Sequence, residues 1–495
     1  MGDQVKAGRE ARIWFWGIFA VAVVLRIFAF NSFSVHHPDE LIQYLEQAHR
    51  IVFGYGVVPW EFREFIRSWL IPLMLVPPMQ VGEWLDPGGQ LYLILPRALV
   101  AALNFAPVIA AWFIGRRISL QHAIVGMAVV GIWVESVAFS VQTLSESLAV
   151  ASFMTAAALL HSKVRMSAIV AAGALLALAG LFRFQFGPAM AVFGAIMAGT
   201  DWRLWKGLLI GAIPVVLGGA LIDVAMGLRP YEWIYTNYRI NIAEGKMQKI
   251  AGDGHPLAYL AQVYESWKLA FLLLPMLALA GWRRHPALVA AALVNLVLHQ
   301  LIDHKEYRYI WLSMEIFLLI AAFGSVDLLR IIFKRTDPAL IEGRAATAAL
   351  IGTWAAVSAL LAATDTHRHN FRYDNDAGRA AAAAIQDPTT CGIAVPKPTY
   401  WQFGYGLLHA NKPIFMLGSK GDVTRAAPGP AEHGFNALLS WESDPAPPPP
   451  WVKRSCSGQA LAKERTCLYV RPGGCRIDDS NRWLLFQETL LANDM

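Results

Sequence analysis

The stretches ISLQHAIVGMAVVGIWVESVAFS (118–140) and WKGLLIGAIPVVLGGALIDVAMG (205–227) run on, apolar and almost uncharged, for over twenty residues each. A helix rises about 1.5 Å per residue, so about 20 such residues cross the roughly 30 Å hydrocarbon core of a bilayer. Similar runs recur at 13–31, 91–115, 143–161, 165–181, 187–200, 264–281, 286–302, 306–333 and 344–364. In lipid the backbone must satisfy its hydrogen bonds within each segment, so repeated runs of this kind can only be membrane helices. The chain is expected to be an all-α polytopic membrane protein. Only 16% of its 495 residues are charged and 56% are hydrophobic, against roughly 25% charged in soluble domains.

The first run, IWFWGIFAVAVVLRIFAF, starts basic and turns apolar, as a cleaved signal peptide does. No small-x-small cleavage site follows it, and it is read as a retained helix. A net charge of +6 does not imply nucleic acid. The basic residues sit in short loops, as the positive-inside rule expects, and no basic stripe interleaved with aromatics marks a nucleic-acid surface.

Those loops decide the topology. GRR at 115–117, HSKVR at 161–165, DWRLWK at 201–206, GWRRH at 281–285 and FKR at 333–335 should all face the cytoplasm. With a basic N-terminus inside, the opening loop lies outside, and reaching GRR inside from that loop requires an odd number of crossings. The segment 66–82 is therefore demoted: it is short, holds Pro72, Pro77 and Pro78, and each proline disturbs a helix. It is placed on the outer membrane surface, within a first external loop at 32–90. About eleven helices remain. The external side then carries the opening loop, QTLSES at 142–147, FRFQ at 182–185, a second large loop at 228–263, DHKEYR at 303–308 and the tail. Nearly every unusual polar cluster thus falls on one face, and ionisable groups at membrane depth usually mark a site.

All four cysteines (Cys391, Cys456, Cys467 and Cys475) lie after the last apolar run. An even number in one water-soluble segment predicts disulfides in an oxidising compartment, in agreement with an external tail. Their spacing fits no familiar zinc pattern. The expected division is a membrane domain at 1–364 and an external soluble domain at 365–495. Short strand-like runs such as TCLYVRP and the PAPPPP stretch at 445–450 predict a small α/β or β-rich fold with a polyproline linker.

Three constellations carry chemistry. In HPDE (37–40), Pro38 suits the first turn of a helix and sets Asp39 and Glu40 at its positive end. Leu41, Ile42, Leu45, Ala48, His49 and Val52 continue an apolar stripe suited to lying on the membrane surface. Asp39 either caps this helix or acts as a general base at the membrane boundary, with Glu40 orienting or binding. In DHKEYRYIW (303–311), Lys305 and Arg308 are three apart and would share a helix face, with His304 beside them. They form either a phosphate grip or a snorkelling interfacial belt. In LFRFQFGP (181–188), Arg183 and Gln185 follow an apolar helix on the same side, and Glu146 of QTLSES is either a helix-start residue or part of a charged pocket. No P-loop, dinucleotide fingerprint, nucleophile elbow or HExxH stands in a suitable context, and no cofactor is expected.

HPDE with Gln43, Glu46 and the FGYG…PWEF…RS run, which includes Arg67, resembles the opening loop of the lipid-linked mannosyltransferases of glycosyltransferase family 22. HKEYRYIW resembles that family's HKE-x-R-[FY] element. GDGHPLAYLAQ at 252–262, with His255, resembles its G-x-H-P…Y segment. Gln142 and Glu146 depart from the pattern, since many relatives carry an arginine and an asparagine there, and this leaves acceptor identity open.

The resemblance implies a GT-C fold with Asp39 as catalytic residue. Glu40, Gln43, Arg67, Glu146, Arg183, Gln185, His255, His304, Lys305 and Arg308 are the expected substrate-binding residues. It further implies a polyprenyl- or dolichyl-phosphate-mannose donor, a glycan or glycolipid acceptor, inverting displacement and no required metal. Another lipid-linked sugar, such as arabinose or glucose, is an alternative donor. A lipid-linked-sugar transporter would instead bury charges on broken helices near the midplane, often within inverted repeats, and no repeat is visible. The alanine-rich, lysine-poor composition suggests a bacterial inner membrane with a periplasmic site; an endoplasmic-reticulum membrane with a lumenal site satisfies the same topology.

Overall fold

The computed structural model describes residues 2–162, 165–246, 254–333, 343–367, 376–396, 402–418, 434–457, 465–479 and 481–492. Parts of HSKVR, FKR and GDGHPLAYLAQ, and the end of CGIAVPKPTYW, lie outside the described residues. Two compact units emerge: Met1–Phe30 with Val100–Arg372, and Asn31–Leu99 with Tyr373–Met495. Compactness therefore follows a different line from the expected division at 364, because the opening loop and the tail fold as one body.

The first unit is helical. Among the described residues five helices are long and apolar enough to span a bilayer: Gly8–Ala29, Leu91–Gly115, Trp202–Ala225, Tyr307–Ile332 and Arg344–Ala362. Two bent pairs, Leu120–Ile132 with Val134–Ser140 (62°) and Ala258–Trp267 with Ala270–Arg284 (99°), raise the number to seven. The second bend centres on Lys268, whose φ of 45° no right-handed helix can continue. Met166–Phe182, Phe184–Ala198 and Pro286–Gln300 are shorter apolar helices, and the expected run at 143–161 is the helix Ser145–Ser162.

Helices separate in lipid unless their backbones approach closely, which small residues permit. A Cβ on Gly211 would lie 1.8 Å from the Val170 carbonyl oxygen, and one on Gly173 would lie 2.1 Å from that of Leu208. This reciprocal contact packs Met166–Phe182 against Trp202–Ala225.

The second unit carries a five-stranded mixed sheet: β1 (Ile393–Pro396), β2 (Ile414–Leu417), β3 (Ala437–Trp441), β4 (Val452–Ser457) and β5 (Thr466–Val470), in the order β2-β1-β3-β5-β4. β1 pairs in parallel with β2 and β3, while β5 pairs antiparallel with β3 and β4. Phe415, Phe435, Leu438 and Tyr469 fill its core. The pairing that sequence left open is Cys391–Cys475 and Cys456–Cys467, the latter directly opposed across β4 and β5.

Two expectations for the opening loop are corrected. The proline-bearing segment forms a 16-residue helix, Leu70–Leu85, with Pro77 and Pro78 inside it. Pro72 costs nothing in the first turn, where the missing N–H has no partner in any case. At about 24 Å this helix is shorter than a span. The apolar stripe after HPDE does not lie open on a surface either. Every residue from Asp39 to His49 is buried, because Glu46–Phe53 packs on Leu70–Leu85 and on the short helix Tyr405–Leu408 of the tail.

Candidate active-site residues

In the second unit, Pro38 enters Asp39–Leu45 with φ −50° and ψ −38°, and this segment is a π-helix, a form often found at functional sites. Glu40 reaches back to the preceding turn: its Oε1 accepts the backbone N–H groups of His36 (2.8 Å) and His37 (3.2 Å). Its Oε2 faces the Arg97 guanidinium at 3.5 Å, and Arg97 also donates to the Ser32 carbonyl at 2.9 Å. Both members of this ion pair are fully buried. Beside it, burial lowers the His36 imidazole, with Glu40 opposing.

Asp39 has its own partners. Its Oδ1 accepts the Gln43 amide at 2.8 Å, and its Oδ2 faces Arg67 at 3.8 Å. His37 Nδ1 lies 3.4 Å from Asp39 Oδ1, yet it accepts the Asp39 N–H at 3.2 Å, so the imidazole meets the loop as an acceptor. The Gln43 amide also donates to Glu61 Oε1 at 2.9 Å. Burial raises the Glu61 carboxyl; Arg67 opposes this and the Asp39 charge adds to it. The arrangement can hold a carboxylate, one oxygen pinned and the other beside a cation, as a proton acceptor.

In the first unit, Glu306 is extended (φ −125°, ψ 141°) before the short helix Tyr307–Ile310. Lys305 and Arg308 consequently do not share a helix face. Lys305 Nζ donates to the Ile302 carbonyl at 2.6 Å and lies 5.9 Å from the Tyr259 ring. Arg308 pairs instead with Glu306 and with Glu146 Oε1, the latter at 3.3 Å. Arg183 Nη1 meets the same Glu146 oxygen at 3.4 Å. Both guanidinium groups lie over the Tyr309 ring, at 4.7 and 5.1 Å, a cation–π arrangement. Glu146 is fully buried and its Oε2 accepts from Ser145. Two arginines are thus gathered on one buried carboxylate, with Glu306 as a second partner of Arg308. His304 accompanies them through Glu306 Oε1 at 2.7 Å.

The GDGHP and DHKE elements meet. Gly254 packs so closely that an added Cβ would lie 1.9 Å from the Asp303 carbonyl oxygen, and Gln262 donates to the Lys305 carbonyl at 3.1 Å. His255 itself is exposed and accepts the Leu257 N–H at 3.2 Å. Gln185 is half-buried in the turn Phe184–Phe186. Among the described residues, the grouping with metal-like spacing is Glu442, Cys456 and Cys467, whose cysteines are tied in a disulfide.

Residue-by-residue reading missed Glu61 and Arg97. The signal for Arg97 was present, as a lone charge inside the apolar run LYLILPRALV. Glu61 was one acidic residue among several in a loop, and only the fold brings it to Gln43.

Comparison with known proteins identifies the family and the fold. The model of the Alg9-like mannosyltransferase family matches residues 16–371. The chain is 33% identical to GPI mannosyltransferase 3 of Drosophila melanogaster over 91 residues, covering 18% of this chain and 16% of that one. It is 32% identical to GPI mannosyltransferase 3 of Yarrowia lipolytica over 107 residues, covering 20% and 21%. To the human GPI alpha-1,2-mannosyltransferase 3 it is 34% identical over 89 residues, covering 18% and 16%. The chain thus spans about a fifth or less of these relatives' length. Among solved structures, ArnT from Cupriavidus metallidurans bound to undecaprenyl phosphate shares the fold with a TM-score of 0.57 at 13% identity, over 94% of this chain and 99% of that one. Its apo state matches with the same score. From the matched motifs, the shared fold and the extent of the family model, the chain belongs to the Alg9-like mannosyltransferase family.

Proposed function

We propose that the protein is a membrane-embedded inverting mannosyltransferase, moving mannose from a polyprenyl- or dolichyl-phosphate donor to a hydroxyl of a glycan or glycolipid on the external side. The observation that carries this reading is Asp39: a buried carboxylate with Oδ1 held by Gln43 and Oδ2 beside Arg67. Asp39 takes the proton of the acceptor hydroxyl as that oxygen attacks the anomeric carbon. The bond from that carbon to the phosphate oxygen breaks, and the lipid phosphate leaves with the electron pair. Arg308 and Arg183 neutralise that charge, with Lys305 and His304 as further donors. Preorganised cations in a water-poor site make phosphate a capable leaving group.

Undecaprenyl phosphate, held by the ArnT of the shared fold, belongs to the carrier class assigned to the donor. About eleven spans, an external tail and a bacterial inner membrane complete the reading; the two disulfides support an oxidising compartment for the tail.

Purified protein in detergent, given undecaprenyl-phosphate mannose and octyl α-mannoside, tests it. Transfer should fall by roughly 10²–10⁴-fold in Asp39→Asn with melting unchanged. Wild-type transfer in that variant rejects the base, and a donor panel in which arabinose or glucose replaces mannose as the better sugar rejects the donor.

A further inference from the structure

Gln43 is used more completely than a substrate ligand requires. Its amide nitrogen has two hydrogens; one goes to Asp39 Oδ1 at 2.8 Å and the other to Glu61 Oε1 at 2.9 Å. The reverse orientation would press its carbonyl oxygen against two carboxylate oxygens, so the amide can face only one way. That carbonyl oxygen has no hydrogen-bond donor, although the residue is only 2% exposed. A buried acceptor left without a donor costs stability and calls for an explanation.

We propose that Glu61 is a positioning residue for the transfer: by sharing the Gln43 amide with Asp39 it pins the amide plane. The Gln43 carbonyl oxygen is thus left to accept a hydrogen bond from an acceptor hydroxyl neighbouring the one that Asp39 deprotonates. The proposal rests on the assignment of Asp39 as base. Asp39 lies at the start of the helix Asp39–Leu45 and Glu61 on the short helix Trp60–Arg63, so one anchor comes from each of two elements. With Asp39 alone the amide could swing; with two anchors it cannot. When ionised, Glu61 also sets a second negative charge beside Asp39. Charged and titratable groups facing the pair include His37 and Arg67. A like charge raises the proton affinity of its neighbour and makes Asp39 the stronger base. Recognition of a neighbouring hydroxyl suits a sugar acceptor, where hydroxyls come in adjacent pairs.

Glu61→Gln and Glu61→Asp, assayed with undecaprenyl-phosphate mannose and octyl α-mannoside across pH, separate charge from reach. Glu61→Gln removes the charge: kcat should fall on the order of tenfold or more, acceptor KM should rise, and the acid limb of the pH profile should move to lower pH. Glu61→Asp keeps the charge on a shorter arm: the limb should stay while kcat falls and acceptor KM rises. A folded Glu61→Gln protein with wild-type kcat, KM and limb overturns the proposal. If Glu61→Gln fails to fold, Glu61→Asp decides alone, and wild-type kcat and acceptor KM there overturn it. Wild-type transfer in Asp39→Asn would instead break the base assignment; a silent Glu61 with an inactive Asp39→Asn breaks only the present inference.

Discussion

The Glu46 carboxylate accepts the backbone N–H of Gly406 at 2.6 Å, joining residues 360 positions apart. Its other oxygen accepts the Val57 N–H at 2.8 Å, and the side chain is fully buried. This one carboxylate ties the opening loop to the tail within the second unit.

Glu46 should make the stability of this unit depend on pH. Burial pushes its carboxyl from 4.5 up to about 7, against the backbone N–H donors and Arg50, which pull it down. Between those values the unfolded chain has lost its proton and the folded chain keeps it. Stability contributed here is therefore lost as pH rises from about 4.5 to 7 and is flat above, by an amount on the order of 3 kcal/mol. Glu46→Gln should abolish that component of the pH dependence. It should also lower stability by about 1–3 kcal/mol, since the amide sets an NH₂ group against a backbone N–H. Melting temperatures of both proteins between pH 5 and 8, taken as a difference, check this.

Glu146→Gln should be costly in the first unit. Arg183 and Arg308 both meet Glu146 Oε1, at 3.4 and 3.3 Å, and removing the buried anion leaves two like charges together. A loss of roughly 3–5 kcal/mol is expected. The KM for undecaprenyl-phosphate mannose should rise as the arginines move apart. Thermal melting and donor-titration kinetics of the purified variant measure both effects, and an unchanged donor KM would detach this cluster from phosphate binding.

The two disulfides should contribute unequally. Cys391–Cys475 closes a separation of 84 residues and Cys456–Cys467 one of 11. On loop-closure entropy, removing the first costs about 2 kcal/mol more than removing the second. Paired Cys→Ser variants compared by urea unfolding of the full chain give the ranking; equal losses would mean that strand pairing, not chain restriction, sets the cost.

Gly211→Leu should drive its helix from Met166–Phe182. Its site lies 1.8 Å, Cβ to carbonyl oxygen, from Val170, and only backbone movement relieves such a clash. Destabilisation of at least 1–3 kcal/mol is expected. Gly218→Leu, on the same helix with nothing within 4 Å of its Cβ position, should melt like the wild type. The two melting curves in one detergent suffice.

HPDE stood out in the sequence because a proline followed by two acids, beside a membrane helix, is chemically unusual. Which acid reaches back to His36 and His37 and which meets Gln43 was not legible, since both suit a positive helix end; Glu40 takes the first role beside Arg97, and Asp39 the second. Arg308 and Arg183 stood out as isolated cations. The expectation that Lys305 joins Arg308 on a helix failed because Glu306 is extended, a local conformation that three-residue spacing does not report. The surface-lying stripe at 41–52 misled for a related reason: periodicity shows that a face is apolar, not what will cover it.

Chain order and hydrophobic length determined that this is a polytopic membrane fold, because crossing lipid is a requirement each segment meets by itself; the bends within 120–140 and 258–284 came only with the structure. Cysteine placement likewise showed an oxidised tail. Only the tertiary structure decided which cysteines pair, that the opening loop and the tail form one body, and that Glu61 reaches Asp39 through a single amide. Those depend on which distant backbone groups and charges meet in space, and no stretch of sequence carries that information until the chain has folded.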